Sequence, residues 1–144
     1  MEKREAITAA ILDTGVLYAL ADRKDAWHRR CAAFVEGYQG RLLVPSTVIP
    51  EACYLMQAHL GRRVELAFVK ALAAGELTVV HFTADDLARC AALLKTYGDA
   101  GIGFVDASVA AIAERLKVTT ILTTDRRHFS IIRGKDGSPY ALLP

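Results

Sequence analysis

Four acids in this 144-residue chain stand where a carboxylate can do chemistry. Asp13 and Asp125 each close a short apolar run, Ile7 to Leu12 and Val118 to Thr123, that reads as a buried strand. In a parallel sheet both would project from the same carboxyl edge, which is where open α/β sheets bind ligands. Asp106 follows Gly101 and Gly103 and falls in the first turn of a strongly amphipathic helix, where free N–H groups favour an ionised carboxylate. Glu51 lies one turn into another helix, beside its apolar residues Val48, Ala52, Leu55 and Met56. Singly, each has a structural use as a cap, a turn residue or a rim charge. Together, four carboxylates in one cleft repel unless protons or a cation compensate them. Oxygen ligands with positions left for water suit Mg²⁺ or Mn²⁺, and such an ion can activate water against a phosphodiester. No His/Cys spacing suits zinc, and no glycine-rich phosphate loop is present.

The elements that must carry these acids alternate between short strands and longer helices. Strands are expected over 7–12, 42–44, 76–82 and 118–123, with a short edge strand over 140–143. Helices are expected over 16–21, 26–38 with Asp25 as cap, 47–60, 62–74, 87–97 after a Thr83-Ala-Asp-Asp86 start, and the central 104–116. Ala107, Ala110 and Ala111 let the central helix approach its neighbours closely. This order predicts a three-layer α/β/α domain with a mainly parallel sheet, a single domain over 1–144. Strand order does not follow from periodicity.

Composition is consistent with this. The chain is 53% hydrophobic, enough for a real core, and its net charge of +2 permits a polyanionic partner without demanding one. Cys31, Cys53 and Cys90 are odd in number and fall in predicted helices, as small apolar residues of a reducing compartment. No apolar run reaches membrane-spanning length, and no signal core follows Met1-Glu-Lys-Arg-Glu5, so a cytoplasmic protein without membrane association is expected.

Four segments in order make the chain resemble the PIN-domain ribonucleases, especially VapC-like toxins of bacterial toxin–antitoxin pairs. They are Ile11-Leu-Asp-Thr-Gly15, Ser46-Thr-Val-Ile-Pro-Glu51, Phe104-Val-Asp-Ala-Ser108 and Leu122-Thr-Thr-Asp-Arg-Arg-His-Phe129. The resemblance spans nearly the whole chain. It implies that Asp13, Glu51, Asp106 and Asp125 bind Mg²⁺ or Mn²⁺ and cleave RNA by metal-activated water, with Thr14 and Thr124 supporting the acids through hydrogen bonds. It alone implies a cognate antitoxin, and a homodimer is expected. His128 stands where close relatives often carry an acid, and reads as a surface loop residue. Asp99 reads as a solvated loop acid at the cleft rim. Arg126 and Arg127, directly after Asp125, are the basic pair best placed to meet a phosphate of RNA. Trp27, Tyr18 and Phe34 read as core or subunit-interface residues.

Rival readings divide on single positions. A haloacid-dehalogenase-like phosphatase needs a second acid two residues after the first, and Gly15 stands there. A receiver-type phosphoacceptor needs a late lysine where the strand here ends in Asp125. A non-catalytic RNA- or partner-binding protein on the same fold, or a free-standing RNA-processing nuclease, is the remaining alternative.

Overall fold

The structure, a computed structural model, describes residues 8–144. Five strands form one sheet in the order β3-β2-β1-β4-β5, and all four pairings are parallel. They are β1 (Ala9–Leu12), β2 (Arg41–Pro45), β3 (Thr78–Val80), β4 (Thr120–Leu122) and β5 (Ala141–Leu143). Seven α-helices are found among the described residues: α1 (Thr14–Ala21), α2 (His28–Gly37), α3 (Ile49–Leu60), α4 (Arg62–Ala73), α5 (Ala84–Tyr97), α6 (Phe104–Leu116) and α7 (Arg126–Ile131). The α/β/α reading therefore stands. Of the expected first strand, Ile7 lies outside the described residues.

The sheet centre is wholly apolar. Ala10, Ile11 and Leu12 of β1 and Ile121 and Leu122 of β4 are buried, the unbroken pattern of strands covered on both faces. Helix α6 is the main partner of that core. Ala107, Val109, Ala110, Ile112 and Ala113 have no exposed surface, and its alanines bring the helix backbone close to its neighbours. Fully burying Val109 or Ile112 stabilises the fold by about 1.5–3 kcal/mol each. The three cysteines are free and sit within helices, Cys31 and Cys90 buried and Cys53 half-buried. No helix is long and apolar enough to cross a membrane among the described residues.

Several boundaries differ from the sequence expectations, each for a local reason. The helix expected over 47–60 begins as a 3-10 turn, Ser46–Val48, before α3. Pro50 has no N–H to return to Ser46, so the Ile49 N–H closes that turn on the Ser46 carbonyl instead. The helix expected over 26–38 starts two residues late, at His28. Asp25 does not cap it but accepts the Trp27 N–H at 2.8 Å, holding a turn before the helix. The strand expected over 76–82 pairs only at Thr78–Val80, because its partner β2 ends at Pro45. Helix α7 was expected as loop; six residues are too few to display a period.

Candidate active site

The chain order places a topological switch at the sheet centre. The connection after β1 leads to β2 on one side, while β4 lies on the other, so the carboxyl ends of β1 and β4 border a crevice. Register puts Ile11 beside Ile121 and Leu12 beside Leu122, which leaves Asp13 next to Thr123. A cleft of about 540 Å³ opens there, and Asp13, Glu51, Asp106 and Asp125 all line it with Thr14, Thr124 and His128. A hollow of about 610 Å³ at the other end of the strands has no acid among its described lining residues. The sequence-predicted acids therefore meet in this cleft and not in the other hollow.

Asp13 is the innermost acid, 8% exposed. It caps α1, one oxygen accepting the Thr14 N–H at 2.8 Å and the other the Thr123 hydroxyl at 3.2 Å. Burial pushes its carboxyl up to about 6; the Thr14 and Thr123 bonds oppose the rise and the charges of Asp106 and Glu51 add to it. No cation among the described residues offsets it. Asp106, in the first turn of α6, is also held above the usual carboxylate range, first by burial and further by Asp125, with His128 acting against them. Glu51 comes from the first turn of α3 and is more exposed; the Thr14 hydroxyl lies 3.5 Å from it, at the limit of hydrogen-bond reach. Asp125 is the outermost, its side chain 57% exposed, and caps α7 by accepting the Arg127 N–H.

The arrangement corrects three sequence expectations. The hydroxyl support assigned to Thr124 comes from Thr123, which bonds Asp13 and, at 3.1 Å, accepts the Asp125 N–H. Thr124 instead packs into the space that a side chain on Gly15 would need, so any larger residue there would require Thr124 to move. His128 is not a loop residue. It lies on α7 with Nδ1 2.9 Å from Asp106 and 3.8 Å from Asp125. Sequence reasoning also missed Asp25, Tyr18 and Leu55 as cleft-lining residues. Asp99 lies in a 3-10 turn outside the cleft lining. Arg127 is exposed, and Arg126 donates to the main-chain carbonyl of Pro144. Trp27 and Phe34 are half-buried against the core.

Among the described residues no three acid, imidazole or thiol side chains are gathered closely enough to hold a metal ion as they stand. The donor chemistry nevertheless fits a hard divalent cation. All four groups are carboxylates, and the charged forms of Asp13 and Asp106 are disfavoured first by burial and further by acidic neighbours, a cost that a nearby cation offsets. His128 occupies one side of Asp106.

Comparison with known proteins identifies the family and the fold. The PIN domain family model matches residues 10–135. The chain is 32% identical to Ribonuclease VapC26 of Mycobacterium tuberculosis (strain ATCC 25618 / H37Rv) over 134 residues, 93% of this chain and 99% of that protein. Among solved structures, the Mycobacterium tuberculosis VapC20 toxin, described as cleaving the sarcin–ricin loop, superposes with a TM-score of 0.73 at 21% identity. That match covers 78% of this chain and 86% of the other. DNA-bound VapBC from Salmonella typhimurium gives a TM-score of 0.69 at 19% identity, covering 94% and 96%.

Proposed function

The chain belongs to the PIN-domain family, and from that premise we propose that it is a metal-dependent endoribonuclease, the toxin of a toxin–antitoxin pair. The observation that carries the reading is the meeting of Asp13, Glu51, Asp106 and Asp125 in one cleft at the carboxyl ends of β1 and β4. Residues 1–144 are read as one catalytic domain. The relative VapC26 is itself a ribonuclease by name, and the solved VapBC relatives pair a toxin with a second protein.

In this mechanism Asp13, Glu51, Asp106 and Asp125 would hold Mg²⁺ or Mn²⁺, which would supply activation of water and neutralisation of charge on the scissile phosphate. Asp13 is the anchor. Thr14 and Thr123 fix both of its oxygens before any ion arrives, so the ligand is preorganised. Glu51 enters from α3, with the Thr14 hydroxyl beside it, and Asp106 enters from α6. Asp125 closes the outer side, its backbone set by Thr123. His128, with Nδ1 2.9 Å from Asp106, orients that carboxylate at the cleft wall. Arg126 and Arg127, at the start of α7, supply positive charge beside the cleft for the RNA backbone.

The same reading makes the protein a cytoplasmic homodimer restrained by a cognate antitoxin. Exposed Leu87 on α5 and Phe104 on α6 offer apolar surface to a second copy. The test is cleavage of labelled single-stranded RNA with Mg²⁺, with Mn²⁺, and with excess chelator, beside DNA of the same sequence. Cleavage confined to RNA and to the metal-supplied reactions is expected. Undiminished cleavage in chelator overturns the metal mechanism, and no cleavage of RNA in any condition overturns the nuclease reading.

A further inference from the structure

At one lip of the cleft two guanidinium groups converge on a single indole. Arg30 lies 4.6 Å and Arg126 5.7 Å from the ring centroid of Trp27. The first contact is local, made from α2. The second joins the start of α7 to the turn before α2, across the sequence. Each side is tied to the cleft wall by its neighbour. Asp25, which lines the cleft, accepts the Trp27 N–H at 2.8 Å, and Asp125, which also lines it, caps the helix that Arg126 begins.

Two like charges drawn to one neutral ring gain from its quadrupole but repel one another. Elsewhere the molecule treats arginine differently. Arg89 is paired bidentately with Glu114, and Arg115 with Asp86. Among the described residues neither Arg30 nor Arg126 is paired with an Asp or Glu side chain, although Arg126 uses one N–H on a main-chain oxygen of Pro144. Both residues are exposed and keep N–H donors for an anion. Because the ring is already engaged by guanidinium, the cluster presents charge outward rather than a bare surface for base stacking.

We propose that Trp27, Arg30 and Arg126 form a clamp for the phosphodiester backbone of the RNA strand where it crosses this lip of the cleft, with Trp27 as the positioning residue that holds the two arginines together. The proposal rests on the nuclease reading, since it needs an RNA strand whose scissile phosphate lies among the acids. A strand in that place must carry neighbouring phosphates past Asp25 and Asp125, whose charges repel it. The paired guanidinium groups offset that repulsion, and planar forks suit phosphate oxygens.

The experiment measures binding of a fluorescent single-stranded RNA to the cleavage-dead Asp13→Asn protein at several KCl concentrations. Beside it stand three further proteins on the same background: Arg30→Ala with Arg126→Ala, Trp27→Leu, and Trp27→Phe. The double arginine variant is expected to bind roughly tenfold more weakly at low salt. It should also flatten the slope of log K against log salt by about 1.4, since each lost phosphate contact on a single strand contributes about 0.7. Trp27→Leu keeps both charges yet is expected to bind several-fold more weakly, and Trp27→Phe, which keeps an aromatic ring, to recover most of the loss. Arg62→Ala with Arg63→Ala, on α4, removes the same charge elsewhere and is expected to change the slope little. An unchanged slope in the Arg30/Arg126 variant, or a loss no greater than that of the α4 control, overturns the clamp. Trp27→Leu binding as tightly as Trp27→Phe removes the positioning role; if that variant does not fold, the exposed arginine variants decide the matter alone. Cleavage of the RNA by the unsubstituted protein, with an unchanged slope in the arginine variant, overturns the clamp and leaves the nuclease standing. An RNA neither bound nor cleaved overturns both.

Discussion

Asp86 and Asp106 hold the same place, the third residue of α5 and of α6, on two helices that pack together, yet they meet opposite surroundings. Asp86 is 2% exposed, and burial alone would raise its carboxyl. Two hydrogen bonds from Arg115 and the reciprocal capping bonds with Thr83 outweigh that burial, and the group lies below the usual range. Asp106 has His128 and the Gly103 backbone on its side, but burial and the facing Asp125 outweigh them, and it lies above the usual range. Asp13, almost as buried as Asp86, is pushed to about 6 with neutral donors alone around it. One carboxylate is fully paired within the fold; the other two keep unbalanced charge. The contrast is the one expected if, as proposed, a cation from outside completes the pairing at the cleft.

The largest effect that sharpens this contrast is on catalysis. With metal supplied, Asp13→Asn is expected to lower RNA cleavage roughly a thousandfold or more, as loss of a preorganised charged group at a reacting centre does. Initial rates on a labelled RNA measure it; a loss under tenfold would place the chemistry elsewhere. Asp86→Asn should do the reverse, leaving chemistry little changed in the protein that remains folded while costing stability. Breaking a buried pair costs about 3–5 kcal/mol, and the lower end applies because Arg115 is a third exposed. Denaturant unfolding measures the loss. Because the Asp86 carboxyl is depressed in the folded state, its contribution is present above about pH 3.8 and disappears as pH falls through its folded value.

The pH dependence of the metal-free protein separates the two acids again. Asp13 has its folded value raised from 3.8 to about 6, so the native state binds more protons than the unfolded chain between those values. Its contribution to stability is complete below about pH 3.8 and is lost as pH rises to about 6. Two pH units correspond to roughly 3 kcal/mol. Asp13→Asn, held neutral at every pH, should therefore be more stable than the parent above pH 6 by up to that amount, and should lose this part of the pH dependence. Unfolding in urea from pH 4 to 8 in chelator tests it. A variant less stable than the parent at pH 8 would mean that Asp13 serves the fold as Asp86 does.

What could be read from the chain follows the range of the forces involved. Unbroken apolar runs mark Ile11, Leu12, Ile121 and Leu122 as buried strands, and the acid after each run as an edge residue, because burial on both faces leaves a one-dimensional trace. Four motifs in order were enough to bring Asp13, Glu51, Asp106 and Asp125 together. The hydroxyl that supports Asp13 was assigned to Thr124 rather than Thr123, since neighbouring threonines differ only in which way the last strand residue turns, and that is set by the pairing of β1 with β4. His128 read as loop because α7 has only six residues, its start defined by the Asp125 cap rather than by a period. The meeting of Trp27 with Arg126 depends on strand order, which periodicity does not carry.

The smallest expected effect is also the one that isolates the cleft from ordinary helix capping. If Asp106 were only a dipole partner at the start of α6, Asp106→Asn would cost a few tenths to about 1 kcal/mol and would leave any response to metal intact. If it is a cation ligand, two costs cancel in the metal-free protein. Removing its charge relieves burial and the repulsion from Asp125 and Asp13, and forfeits the contact with His128. The metal-free variant should then melt within about 1 kcal/mol of the parent. The distinguishing quantity is the difference between four melting curves, parent and variant, each with and without Mg²⁺ or Mn²⁺. At about 100 times its dissociation constant an ion that binds only the folded state adds roughly 2.7 kcal/mol, and the variant should lose most of that gain. A variant that is destabilised and still responds fully to metal would give Asp106 a structural role like that of Asp86. The metal centre would then have to be assembled without the α6 helix start.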